Sequence, residues 1–343
     1  MIRLRDLGFA AAVCAATSVQ GAAAQDAADF FRGKVVRIVV GYPPGSTFDL
    51  YARTLGRHMG QYIPGAPGVI VQNMPGAGGI NAVSYAAKVA APDGLTLALS
   101  NPQSTTTPLL EPKSANYDPR TFTWIGSVSD DTTACAFWAK DIKTIDDLKK
   151  RDIVIGATGS TGGSAIDGKI LNTIFGYRFR IVTGYRGMFE VRLAAERGEL
   201  DGQCGLPGST IKVDLQQQVS DGKIVIPLQL GIRRNPDLRD VPNISDLAKS
   251  DDERDIIRVL YAPLSYMRPV MGPEGIPADR AQALRAAFDE AVRDPVFLDE
   301  MAKQRLDVRP VSHGDILATV NAIYATPAPT IARIRNLLGL EDR

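Results

Sequence analysis

"RIVVGYPPGSTFDLYARTLGRHM", Arg37 to Met59, decides how this chain is read. An apolar, β-branched run ends in Tyr42-Pro43-Pro44-Gly45. Ser46 and Thr47 follow, and a helical pattern begins at once, with apolar residues at Tyr51, Leu55, Met59 and Tyr62. A strand that turns through Pro-Pro-Gly into a helix presents backbone N–H groups with no partner inside the helix. Groups of that kind serve a nucleotide phosphate, a catalytic oxyanion or the carboxylate of a small molecule, and the rest of the chain has to choose among these.

Outward from that stretch, strands and helices alternate. "VVRIVVGY" (Val35–Tyr42) reads as a buried strand, and "GVIVQNM" (Gly68–Met74) as a second one that ends in Pro75-Gly76-Ala77-Gly78-Gly79. A helix over roughly Ile80–Val89 and a third strand in "PDGLTLALS" complete β-α-β-α-β, the pattern of a parallel sheet with right-handed crossovers. The pattern then restarts. Thr133–Lys140 is a strand, Thr144 caps the short helix "TIDDLKK", and "DIVIGATGSTGGSAIDGKILNTIF" repeats strand, small-residue loop and helix. "FRIVTGYRG", a helix near Met188–Arg197 and a strand near Asp201–Gly205 follow. In the tail, Pro277 opens a helix with apolar residues at Ala281, Leu284, Phe288 and Val292. Further helices are expected near Ser312–Tyr324 and Thr330–Leu338, with Gly339 as the stop for the last. The expected fold class is α/β in two lobes, each a mostly parallel sheet flanked by helices. Lobe 1 takes 25–129 and 231–343, with the tail helices packing back on the first sheet, and lobe 2 takes 130–230.

Bulk properties narrow the function. A chain of 343 residues exceeds one ordinary core, and its 45% apolar and 22% charged content is that of a soluble globular protein. A formal charge of +1 gives no electrostatic case for nucleic acid or an anionic membrane surface. Residues 1–24 read as a secretory signal: Arg3 and Arg5, the apolar run "LGFAAAVCAATSV", then a small-x-small pattern at Ala22 and Ala24 before Gln25. Loss of Arg3, Arg5 and Asp6 with that segment brings the formal charge to zero. Cys14 leaves with the signal. Cys135 and Cys204 remain, and in an exported chain they are either one disulfide or two buried thiols.

Four small-residue loops fall at the carboxyl ends of the expected strands: "PPGSTFD", "PGAGG", "GATGSTGGS" and "YRG". Ligands of open parallel sheets bind at such ends, next to helix N-termini that carry about half a positive charge. Loops of this kind in both lobes point to a cleft that closes on a small anion. A dinucleotide site is disfavoured, because Ala157 and Thr158 separate Gly156 from Gly159 and spoil the G-x-G-x-x-G spacing. A serine hydrolase is disfavoured too, because Ser46, Ser160 and Ser164 sit in no G-x-S-x-G elbow and His58 and His313 are the only histidines. Two histidines and two cysteines make a poor zinc site, so no metal and no cofactor is expected. Asp49 reads as a helix cap or as a partner for a ligand ammonium, Asp201 as a cleft residue or a strand end, and Arg186 as the loop cation best placed to meet a carboxylate.

Taken together, "RIVVGYPPGSTFDLYAR", "NMPGAGGINA", "APDGLTLAL", "GYRG" with "GELDG", "LRDVPNISDL" and "GPEGIPADR" resemble the substrate-binding receptors of tripartite tricarboxylate transporters, the TctC or Bug family. The resemblance covers nearly the whole chain after residue 24. It implies a two-lobed periplasmic binding protein of type II-like fold, monomeric and without catalytic activity. Such a protein closes on a small organic acid and passes it to integral membrane transporter subunits. Sensing for a signalling kinase and an exported enzyme acting on organic acids are the alternative roles.

The resemblance also implies a site. Its positions in lobe 1 are Ser46, Thr47, Asp49, Gly78 and Ser100, and Tyr42 and Phe48 of the same turn are further candidate ligand contacts. In lobe 2 they are Thr158, Ser160, Gly163, Ser164, Arg186, Gly187 and Asp201. The chain departs from the family pattern where Ser46 replaces a usual glycine, Phe48 a usual small hydroxyl, and Ile166 stands near a usual histidine. Fewer hydroxyls and an added aromatic shift the expected ligand from citrate towards a more apolar mono- or dicarboxylate, aromatic acids included.

Overall fold

The computed structural model describes residues 26–157, 163–185 and 187–340. The expected signal, 1–24, lies outside the described residues, as do Thr158, Ser160 and Arg186. The chain divides into two compact units. The first runs through Asn101 and adds Tyr117–Val128 and Arg268–Ile316. The second holds Pro102–Asn116, Ser129–Met267 and the chain from Leu317 onward.

The first unit is built on a six-stranded sheet of order β11-β4-β10-β3-β1-β2. Its strands are β1 (Val35–Val40), β2 (Gly68–Asn73), β3 (Thr96–Leu99), β4 (Thr123–Ser127), β10 (Pro269–Gly272) and β11 (Val311–Ser312). β1 is parallel to both β2 and β3, as the β-α-β-α-β pattern requires, with Val40 opposite Asn73 and Leu99. β10 enters antiparallel between β3 and β4, and β11 is antiparallel to β4, so the sheet is mixed rather than mostly parallel. Ile38, Val39 and Val40 are fully buried. This is why the run around them is β-branched on both faces: such side chains pack well on a covered pleated surface.

Helix α1 (Thr47–Met59) turns Tyr51, Leu55 and Met59 into the core as its spacing predicts. Tyr62 breaks the series. The chain tightens into a 3₁₀ turn over Gly60–Tyr62, which leaves Tyr62 36% exposed with its hydroxyl donating to Asp294 at 3.0 Å. Helix α2 (Ile80–Lys88) joins β2 to β3.

The second unit has a five-stranded sheet of order β7-β6-β8-β5-β9. Its strands are β5 (Thr133–Phe137), β6 (Ile153–Gly156), β7 (Phe179–Val182), β8 (Gly202–Pro207) and β9 (Val225–Leu230), with helices α3 (Gly163–Phe175) and α4 (Met188–Glu196) between. β6 is parallel to β7 and β8, while β5 is antiparallel to β8 and β9. Cys135 on β5 and Cys204 on β8 are joined by a disulfide between the paired strands.

Units and lobes differ in the last third of the chain. α5 (Asp251–Tyr261) lies in the second unit, where Ile256, Ile257 and Val259 join a core that includes Ile155, Ile170 and Leu171. α6 (Ala278–Ala291) and α7 (Pro295–Lys303) do pack on the first unit, through Leu284, Phe288, Phe297 and Met301. α8 (His313–Tyr324) contains the boundary at Ile316/Leu317, and α9 (Ala328–Leu338) buries Ile334 and Leu338 in the second core, not against the first sheet. Helical periodicity shows that a face is buried but not which core covers it. Gly339 ends α9 in the left-handed region, φ 69°. No described helix is long and apolar enough to cross a membrane.

The disulfide closes a separation of 69 residues within one unit. Its loss in Cys135→Ala/Cys204→Ala is expected to cost about 2–4 kcal/mol by removing the constraint on the unfolded chain. Urea unfolding reads this directly. The expectation is wrong if the double variant and the wild type share one midpoint without reductant.

Candidate functional site

Because β1, β2 and β3 are parallel, their carboxyl ends reach the same edge of the first sheet. Gly41 donates to Leu99 O at 3.2 Å, and Met74 donates to Val40 O at 2.8 Å. The turns beyond these ends pack too closely for side chains. A Cβ on Gly41 would lie 2.6 Å from Ser100 Oγ and 2.7 Å from Gly79 Cα. Ser100 is buried, and its hydroxyl donates to Gly79 O at 3.1 Å. Gly78 and Gly79 are left-handed (φ 63° and 96°), and Gly78 O accepts from the Tyr42 hydroxyl at 3.2 Å. Tyr42, Gly78 and Ser100 are therefore brought together, and they fasten the Pro75–Gly79 turn to the first one.

The turn after β1 is built around Asp49. The Asp49 side chain is 2% exposed. Its Oδ2 accepts from the Gly45 amide (2.8 Å) and Arg53 Nε (2.9 Å), and its Oδ1 accepts from Asn73 Nδ2 (2.7 Å). Asn73 Nδ2 also donates to Tyr42 O at 2.9 Å. Burial works to raise the Asp49 carboxyl, but the hydrogen bonds from Arg53, Gly45 and Asn73 outweigh it and hold the group below the usual carboxylate range. Ser46 is the N-cap, extended at φ −67° and ψ 158°, and its Oγ accepts from the Asp49 amide at 3.3 Å. Of the two readings of Asp49, capping and bracing is what the geometry supports.

With Ser46 and Asp49 spent on the turn itself, the amides that helix geometry leaves without an acceptor are those of Thr47 and Phe48. Thr47 is exposed. Phe48 is half-buried, stacked on Tyr42 with centroids 4.3 Å apart and planes 9° apart. The Arg268 guanidinium stands 4.3 Å from the same ring centroid and 5.0 Å from that of Tyr51. Phe48 therefore packs against both an aromatic ring and a guanidinium. Arg268 has no signal in the sequence, because it reaches this turn only through the pairing of β10 with β3.

In the second unit, Gly163 opens α3, and Ser164 is buried one residue on. The Ser164 hydroxyl donates to Gly156 O at 2.8 Å and accepts from the Cys204 amide at 3.2 Å, so it ties β6 to β8. Gly187 is the N-cap of α4 in extended conformation. Asp201 is placed elsewhere. It precedes β8 beside the first half of β6, where Oδ2 accepts from the Val154 amide at 2.6 Å and both oxygens pair with Arg151 at 2.7 and 2.8 Å. Its role is that of a strand-end brace, and its Arg151 partner also pairs with Asp141.

One group went unmarked in the sequence. Asp167 on α3 is buried, with Oδ1 accepting from the Tyr261 hydroxyl at 2.9 Å. Gly205, at φ +70°, passes so near that a Cβ there would meet Asp167 Oδ2 at 3.2 Å and the Ser164 amide at 3.3 Å. Burial pushes the Asp167 carboxyl up to about 7, against the pull of the Tyr261 hydrogen bond. Among the described residues no group of three or more His, Cys, Asp or Glu side chains could hold a metal ion.

Residues 52–323 match the tripartite tricarboxylate transporter family receptor. The chain is 42% identical over 81 residues to protein BugT of Bordetella pertussis, covering 24% of each sequence. The chain's matches span about a quarter of the length of the curated relatives. Among solved structures it is similar to a TctC solute-binding protein from Polaromonas, with TM-score 0.66 and 18% identity over 89% of this chain and 98% of the other. A Rhodopseudomonas palustris protein solved with adipate gives TM-score 0.60 and 18% identity over 88% and 97%. At these identities the structural likeness is one of fold.

Asp167 carries a pH prediction. The unfolded chain ionises this carboxyl above 3.8 and the folded chain only above about 7, so folding is penalised progressively between those values and fully above them. Asp167→Asn keeps the acceptor for Tyr261 and removes the penalty. Its stability relative to wild type is expected to rise by up to roughly 4 kcal/mol between pH 4 and pH 8. Urea unfolding at several pH values checks this, and a difference that stays constant with pH contradicts it.

Proposed function

The chain belongs to the tripartite tricarboxylate transporter receptor family, and on that premise we propose that it is an exported, periplasmic solute-binding protein that captures a small organic carboxylate for integral membrane transporter subunits. The family is one of receptors, and no catalytic step is assigned to any residue. The observation that carries the reading is the first turn of α1. There Ser46 and Asp49 use their own hydrogen bonds to brace the loop, and the amides of Thr47 and Phe48 are left to an outside acceptor. A carboxylate at that point gains charge-assisted hydrogen bonds and the favourable end of the helix dipole. Gly163 and Gly187, at the starts of α3 and α4, offer backbone donors of the same kind in the second unit.

In this reading Tyr42, Asp49, Gly78, Ser100 and Ser164 act by shaping loops and do not touch the ligand. Thr47 and Phe48 contact it through their backbone. Thr158, Ser160 and Arg186 remain proposed contacts by their place in the family pattern. The ligand class is a mono- or dicarboxylate smaller in polarity than citrate, since the turn offers few hydroxyls. The bound adipate of the Rhodopseudomonas protein supports that class.

Thr47 gives a clean test, because it is the first helical residue and follows an extended Ser46. Proline is tolerated at that position and removes one N–H and nothing else from the backbone. Thr47→Pro is expected to keep the unfolding midpoint of the free protein and to weaken carboxylate binding roughly tenfold or more, the worth of a hydrogen bond to a charged group. In a thermal-shift panel, an acid at about 100 times its dissociation constant should add about 2.7 kcal/mol of stability to the wild type, while its neutral diamide adds none. A panel in which no carboxylate stabilises the wild type, or a Thr47→Pro variant that binds as well as wild type, removes the basis of the proposal.

A further inference from the structure

β8 is not a regular strand. Ala134 on β5 stands opposite Leu206 and Ala136 opposite Gln203, so two steps along β5 match three along β8. Cys204 and Gly205 are left to share the single residue Cys135, the two-against-one count of a β-bulge. Gly205 is left-handed there, at φ 70°, a conformation glycine adopts without steric cost. β5 also shifts register against β9, between Cys135 and Phe137.

The bulge is where β8 meets the start of α3. The Cys204 amide donates to Ser164 Oγ at 3.2 Å, and the same hydroxyl donates at 2.8 Å to the carbonyl of Gly156, the last residue of β6. A Cβ on Gly205 would lie 3.2 Å from Asp167 Oδ2, 3.3 Å from the Ser164 amide nitrogen and 3.6 Å from the Gly163 carbonyl carbon. The two bulged residues therefore pack on the first turn of α3, from Gly163 to Asp167. An extra residue in a ladder loosens the local register, and a slip of one position moves each side chain to the other face. The disulfide removes that freedom, because it bonds Cys135 to Cys204 with both side chains buried. It fixes which amide of β8 is presented to Ser164.

Resting on the receptor reading above, we infer that Cys135 and Cys204 are positioning residues of the second unit's carboxylate site. Their bond pins the β8 bulge, and the bulge places the first turn of α3 through the Cys204 amide, Ser164 Oγ and Gly156 O. The bond thus acts on ligand affinity in the folded protein, separately from its constraint on the unfolded chain.

Two measurements test this on wild type, Cys135→Ala/Cys204→Ala, Ser164→Ala, the triple variant and Gly205→Ala, each checked for folding by circular dichroism. The first is calorimetry with adipate. Loss of the bond should weaken adipate roughly fivefold or more, and Ser164→Ala should do the same. The triple variant should stay within about twofold of the weaker of these two, because both changes cut one route. Effects that multiply would mark independent sites and overturn the inference, as would a bond-free protein that binds adipate like wild type. Gly205→Ala keeps the bond and adds a methyl against α3, so it should also weaken adipate. If the bond-free protein does not fold, this variant decides, and an unchanged affinity overturns the inference. The second measurement is amide hydrogen exchange, which needs no ligand. Without the bond, exchange at residues 164–167 should speed up about tenfold more than at Ile170 and Leu171 on the same helix. An equal rise along α3 means general destabilisation and overturns the inference. A wild type that binds no adipate but keeps this exchange contrast counts against the carboxylate reading and not against the hold of the bond on α3.

Discussion

The buried carboxylate of Asp49 is the interaction on which the first unit's site depends. It sits one turn into α1 and takes hydrogen bonds from the Gly45 amide before the helix, Arg53 on the helix and Asn73 at the end of β2. Three pieces of chain are held by two oxygen atoms. Deleting such an acceptor leaves donors buried without partners, at a cost of about 1–3 kcal/mol for each group so stranded. The carboxylate also decides which amides are left over. Gly45 and Asp49 have their N–H groups satisfied inside the turn, so the outward donors are those of Thr47 and Phe48.

The same economy recurs in both units. Ser100 spends its hydroxyl on Gly79, Ser164 on Gly156 and Cys204, and Asp201 both its oxygens on Arg151 and Val154. Side chains named as candidate ligand contacts thus make hydrogen bonds within the loops and strand ends. A backbone site with braced loops is stiff, and stiffness lowers the ordering cost of binding. Phe48 stacks on Tyr42 in the same turn, and the Arg268 guanidinium stands 4.3 Å from its ring centroid.

Asp167 shows the opposite arrangement. Its carboxyl is buried on α3 and accepts from the Tyr261 hydroxyl, and burial outweighs that hydrogen bond and raises the carboxyl above its ordinary range. Asp49 on α1, by contrast, is held below the usual carboxylate range and paired with Arg53.

Short-range order was legible in the chain itself. β-branched runs became β1 and β2, Ser46 became the cap of α1, the Tyr51-Leu55-Met59 spacing became its buried stripe, and Gly339 became the stop of α9. These follow from propensities and hydrogen bonds that reach no further than a turn or two. Tertiary structure alone decided the rest. It reversed β10 within the sheet, set α5 and α9 in the second core, put Asp201 before β8 against Arg151 and Val154, joined Cys135 to Cys204, and carried Arg268 to Phe48. No local pattern encodes those pairings, because each is a match between surfaces far apart in the chain. Which match forms is settled by how all the buried faces and charges can be satisfied at once.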